Sequence, residues 1–76
     1  MILSDTAPQG RYIITNFNKT DIRRFLDLGL ARGAEITRLF DSPFGDPIAF
    51  FINGSVIALR RIDSDYIEVV PCEEYD

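Results

Sequence analysis

A chain of 76 residues with 46% hydrophobic content, six Phe and three Tyr can build one thin core, since folding at this length removes only about 60% of the unfolded surface from water. The net charge of −4 comes largely from the end, where Glu73, Glu74 and Asp76 leave residues 1–72 with eight basic against nine acidic side chains. That balance lacks the cationic surplus that releases phosphate counterions, so direct binding of DNA or RNA is not expected.

Residues 1–9 show no clear period and read as a lead-in that orders only near Gly10, while 71–76 reads as a less ordered acidic tail; between them lies a single domain. Arg11 to Phe17 is rich in β-branched and aromatic residues with apolar groups on both faces, which predicts a first strand in a curled sheet. The period then changes. Ile22, Phe25, Leu26 and Leu30 fall on one side at helical spacing, with Leu28 toward the edge of the stripe, and this is the one helix the pattern supports. Asn18 or Thr20 is placed to cap it, Gly29 to end it, and Arg23 and Asp27 to pair across one turn. Ala34 to Phe40 predicts a second strand and Pro47 to Ile52 a third. Asn53-Gly54 is a turn dipeptide that tolerates positive φ at both central positions, and Val56 to Arg60 returns as the fourth strand. A polar turn at Asp63-Ser64-Asp65 leads to a fifth strand, Tyr66 to Val70, ended by Pro71. Five short strands with a helix inserted after the first predict a small, partly closed barrel, because closure hides sheet edges.

Chemistry is sparse. There is no histidine for a triad, no phosphate-cradling glycine loop, and Cys72 sits beside acidic residues that disfavour a reactive thiolate, so no catalytic residue is expected. Asp63, Asp65 and Glu68 form the densest carboxylate cluster, but the spacing fits no EF-hand, and without a second soft ligand neither a metal site nor a cofactor is expected. The lone cysteine suits a reducing compartment, and Met1-Ile2-Leu3-Ser4-Asp5 lacks the basic start and apolar run of a signal peptide, so a cytoplasmic location is expected. The longest apolar run, Ile48 to Ile52, is far below the ~20 residues of a membrane-spanning helix.

The segment Ser42-Pro43-Phe44-Gly45-Asp46-Pro47 carries the clearest signal. Two prolines fix φ, Gly45 opens a conformation closed to other residues, and Asp46 can accept from nearby amides; together these specify a rigid loop. Rigidity does not require Phe44, whose ring either folds back on the core or meets a partner. The block Arg24 to Ile36, with Ser42-Pro43-Phe44-Gly45-Asp46-Pro47-Ile48 and Ile57-Ala58-Leu59-Arg60, resembles the FeoA family of small SH3-like domains, over roughly Gly10 to Val70. Arg32 departs from the proline common in relatives at that position.

The resemblance implies a non-catalytic accessory protein that binds the cytoplasmic part of the FeoB ferrous iron transporter, a membrane GTPase, and supports or regulates Fe(II) uptake. Its contact with the membrane would then run only through that partner. The partner-binding candidates are Leu28, Arg32, Pro43, Phe44, Gly45, Asp46, Pro47 and Arg60. Two alternatives stay open: a metal-sensing or regulatory module similar to the C-terminal domain of metal-dependent repressors, and a GTPase activator in which Arg32 or Arg60 is inserted into the transporter.

Overall fold

The computed structural model describes residues 1–75. Its strands are β1 (Arg11–Phe17), β2 (Glu35–Asp41), β3 (Ile48–Ile52), β4 (Ser55–Leu59) and β5 (Ile67–Pro71). They form one antiparallel sheet in the order β4-β3-β2-β1-β5. Register irregularities between Ile14 and Asn16, against β5, and between Arg38 and Phe40, against β3, add local twist and bend the sheet around its core. Tyr12, Ile13 and Ile14 are consequently buried in succession, as the two apolar faces of β1 predict. The β3–β4 hairpin turns on Asn53 (φ 52°) and Gly54 (φ 78°), and its register runs unbroken from Ile52↔Ser55 to Ile48↔Leu59.

The core is a single cluster to which all five strands contribute, Phe50, Ile36 and Ile52 among them, with Phe25 inserted from the crossover between β1 and β2. That crossover holds α1 (Arg23–Asp27), whose Phe25 stacks on Phe17 with ring centroids 5.7 Å apart. The helix is shorter than its sequence pattern suggests, and this changes which residues it buries. Five residues cannot present a full apolar stripe, so Leu26 is exposed while Phe25 is buried. Leu30 reaches the core by another route: Gly29 adopts φ 87°, reverses the chain, and lets the Leu30 amide donate to the Phe25 carbonyl at 2.9 Å.

The expected cap is also absent. Ile22 occupies the N-cap without a side-chain bond, and Asp21 Oδ1 accepts from the Arg23 amide at 3.3 Å. Asp21 also pairs with the Arg23 guanidinium, so the Arg23–Asp27 pair does not form, and Arg24 reaches Asp63 instead, at 2.6 Å. A second helical turn, α2 (Arg61–Ser64), stands where the sequence predicts only a polar turn. Ser64 is fully buried there because its hydroxyl is satisfied by donating to the Arg61 carbonyl at 3.0 Å.

The residues before Gly10 do more than lead in. A 3-10 turn at Leu3–Asp5 places Leu3 fully in the core. Met1 exchanges backbone hydrogen bonds with Val69, and Ile2 bridges Glu68, so this segment lines the outer edge of β5. An apolar pair followed by a polar turn, Ile2-Leu3 then Ser4-Asp5, is too short to show any period. At the other end, Cys72–Glu74 forms a further 3-10 turn, and the last residue of the expected acidic tail, Asp76, lies outside the described residues.

Candidate functional site

The loop between β2 and β3 is closed at its base by the Ser42 amide, which donates to the Pro47 carbonyl at 3.1 Å. A tight turn follows, with the Gly45 amide donating to the Ser42 carbonyl at 2.7 Å and Gly45 at φ 83°. The Asp46–Pro47 peptide is cis. Phe44 sits at the tip of this turn with its ring turned outward and the residue 98% exposed. The two directions left open by the sequence are thereby resolved in favour of solvent.

The loop is held from outside itself. Arg61, at the start of α2, donates from Nε to the Gly45 carbonyl at 2.6 Å and from its backbone amide to Asp46 Oδ1 at 3.0 Å. Asp46 therefore plays the acceptor role expected of it, with a donor that comes from outside the loop, just after β4. Arg61 Nη2 also reaches Asp41 Oδ2 at 3.0 Å. Asp41 in turn receives Arg38, with Nη2 contacting Oδ1 at 2.8 Å and Oδ2 at 3.0 Å. Arg38 is only 6% exposed, and its Nη1 donates to the carbonyls of Ser4 and Thr6, each at 2.8 Å. A buried guanidinium is tolerable only when its donors are used, and here they are divided between one carboxylate and two carbonyls. The chain of contacts runs from the N-terminal turn through β2 to the loop.

Of the partner-binding candidates, Pro43, Phe44, Gly45, Asp46 and Pro47 share this loop, and Arg60 lines a surface depression with Asp46 and Pro47. The other two lie elsewhere. Leu28 is partly exposed at the C-cap of α1, beside the Gly29 carbonyl that accepts from Asn53 Nδ2 at 3.1 Å. That contact belongs to the opposite end of β3 from the loop, about 13 Å of strand away. Arg32 is occupied: it donates to Asn16 Oδ1 at 3.0 Å and its guanidinium lies 5.5 Å from the Phe17 ring centroid. Arg38, Asp41 and Arg61 are not marked by the sequence, where they look like ordinary charges within or beside strands. The available signal was the alternation of β2, since Ile36 and Arg38 fall on the same, inward face.

Two of the three carboxylates that cluster in sequence are also engaged. Asp63 pairs with Arg24 and Asp65 accepts from the Ser4 hydroxyl. Among the described residues no group of three or more His, Cys, Asp or Glu side chains could hold a metal ion. Burial, and secondly the charge of nearby Glu35, push the Cys72 thiol above its ordinary pKa. Among the described residues no helix is long and apolar enough to cross a membrane.

Comparisons with known proteins agree with this fold. A family model described as the FeoA domain matches residues 1–71. Among solved structures, iron(II) transport protein A from Clostridium thermocellum has 29% identity and a TM-score of 0.91, over 96% of this chain and 46% of that one. FeoA from Chlorobium tepidum has 33% identity and a TM-score of 0.88, over 100% of this chain and 74% of that one. Stenotrophomonas maltophilia FeoA, solved with zinc and described as a prokaryotic SH3 domain protein, has 21% identity and a TM-score of 0.79, over 92% of this chain and 89% of that one, and supports the fold alone. The chain thus spans less than half the length of the Clostridium thermocellum protein. The comparison with curated proteins yields no match.

Proposed function

The chain belongs to the FeoA family of SH3-like domains associated with ferrous iron transport, and on that premise we propose that it is a non-catalytic, cytoplasmic accessory protein that docks on a FeoB-type membrane GTPase transporter. Phe44 supports this reading most directly. A phenylalanine 98% exposed at the tip of a loop leaves its whole apolar area in water, and a loop braced by Arg61 has little conformational freedom left to lose on binding. An exposed aromatic on a pre-organised support has the character of an interface anchor.

The test is association of the chain with the purified transporter, compared with its Phe44→Ala variant, in GDP-bound and GTP-analogue-bound states. Binding by the wild type and a loss of about tenfold or more in the variant is expected. The thermal midpoint should be unchanged, since the ring contributes no packing to the free protein. Failure of the wild type to associate in any nucleotide state would refute the reading.

A further inference from the structure

Most of the outward face of β2, β3 and β4 is apolar, with Thr37 set among its apolar residues opposite Phe51. In the antiparallel register Phe40 lies opposite Ala49, which lies opposite Ala58; Phe51 lies opposite Val56. Strand alternation puts these side chains on the side away from Ile48, Phe50 and Ile52, which fill the core. Directly opposed and diagonal neighbours on a sheet are within side-chain contact distance, so they make one surface. Phe40 is 61% exposed and Val56 62%, with Phe51 at 44%.

The loop carrying Phe44 leaves the sheet at the Phe40–Ala49 end of this face. Continuing the β3–β4 register by one pair beyond Ile48↔Leu59 brings Pro47 and Arg60 to the same outward side. Arg60 is distinctive among the seven arginines. Arg11, Arg23, Arg24, Arg38 and Arg61 each pair with a carboxylate, and Arg32 is held by Asn16 and Phe17. Among the described residues the Arg60 guanidinium has no such partner, and Asp46, which lines the same depression, already accepts from the Arg61 amide. At the opposite margin the face ends in the Arg11–Glu35 ion pair on β1 and β2, at 2.8 Å.

We propose that the outward face of β2–β4, with Phe40, Phe51 and Val56 at its centre and Arg60 at its rim, is a docking surface for a protein segment that presents an apolar stripe ending in a carboxylate. This deepens the proposed function and rests on it: the Phe44 loop and this face form one continuous contact surface for the same partner. An apolar centre, a satisfied ion pair at one margin and one free cation at the other match the anatomy of a protein interface. The free charge then selects partner and register through a complementary carboxylate. A bilayer is the weaker fit, because a strand face with one free cation at its rim, on a chain of net charge −4, offers little attraction to anionic lipid.

The experiment measures affinity for the purified transporter in two face variants, the double Phe51→Thr, Val56→Thr chain and Arg60→Glu, beside Phe44→Ala. Threonine is β-branched and suited to a strand, and the thermal midpoints of all three variants are checked against the wild type. A loss of about tenfold for the double Phe51→Thr, Val56→Thr chain and for Arg60→Glu is expected, with the fold intact. Loss in Phe44→Ala alone, with the face variants at wild-type affinity, overturns the inference and leaves the loop as the docking site. No binding by the wild type removes both readings together. Two controls carry the other occupants. Binding to phosphatidylglycerol vesicles that the face variants abolish assigns the surface to lipid. A dimer seen by sedimentation that the same variants dissociate assigns it to a second copy. Either result overturns the inference.

Discussion

Asp41 is the joint between two arginines that enter from different parts of the chain. Replacing it by alanine leaves the guanidinium of buried Arg38 with only the two carbonyls of Ser4 and Thr6 and removes the Asp41 contact from Arg61. Loss of such charge-assisted bonds should lower stability by about 1–3 kcal/mol, read from urea unfolding. Asp41→Ala should also raise the mobility of residues 43–46 in backbone relaxation, whereas Phe44→Ala should change neither quantity. A second prediction at this scale concerns Cys72. Because burial and then Glu35 hold its pKa above the ordinary value, its reaction with a disulfide reagent at pH 8 should be slower in the folded chain than in the urea-unfolded one. Glu35 and Asp21 are shifted the other way, held low by their hydrogen bonds to Arg11 and Arg23. The small stabilisation from these exposed pairs is present above the ordinary carboxylate range and is lost as pH falls through the lowered values. Phe44 was legible from sequence because an aromatic among turn residues has no role in making a turn. Asp41 and Arg61 were not, because their importance depends on which distant atoms the sheet brings to them.

Among the elements, the strands follow from period and punctuation, and the Asn53-Gly54 turn sets the register of β3 on β4. The helices follow less well. A five-residue α1 buries one of its own side chains and depends on Gly29 to deliver Leu30, a contact that mimics helical spacing without being helical. α2 is a single turn whose residues Arg61-Ile62-Asp63-Ser64 have no apolar period to detect. Gly29 therefore has more influence than a loop glycine usually would. A Cβ at that position would lie 2.6 Å from Asn53 Nδ2, and the φ of 87° is unfavourable for any other residue. Gly29→Ala should cost about 1–2 kcal/mol from the backbone alone, with a further loss from the displaced Asn53 bond, measured as a shift in the urea midpoint. The variant should leave the Phe44 loop unchanged by amide chemical shift, since that loop lies at the other end of β3.

At the scale of the whole molecule, a thin core makes each large side chain count. Leu3 is fully buried although it precedes the first strand, and Leu3→Ala should cost about 2–5 kcal/mol, a large share of the stability of so small a domain. Thermal unfolding would show this as a lowered midpoint, accompanied by faster hydrogen exchange at the Val69 amide, which donates to the Met1 carbonyl at 2.8 Å. No periodicity argument could have placed Leu3, because a lone apolar residue in a 3-10 turn becomes core only through the tertiary fold.

The same N-terminal turn supplies the Ser4 and Thr6 carbonyls that hold Arg38, and through Asp41 and Arg61 it is mechanically joined to Gly45. Linkage makes such a connection reciprocal. A ligand that clamps the loop should therefore disfavour the open state of the β5 edge, and any free energy of coupling is equal to what loosening that edge takes from the ligand's affinity. The Val69 amide is therefore a remote reporter of occupancy: its deuterium uptake should record whether the loop is engaged without any label near the contact.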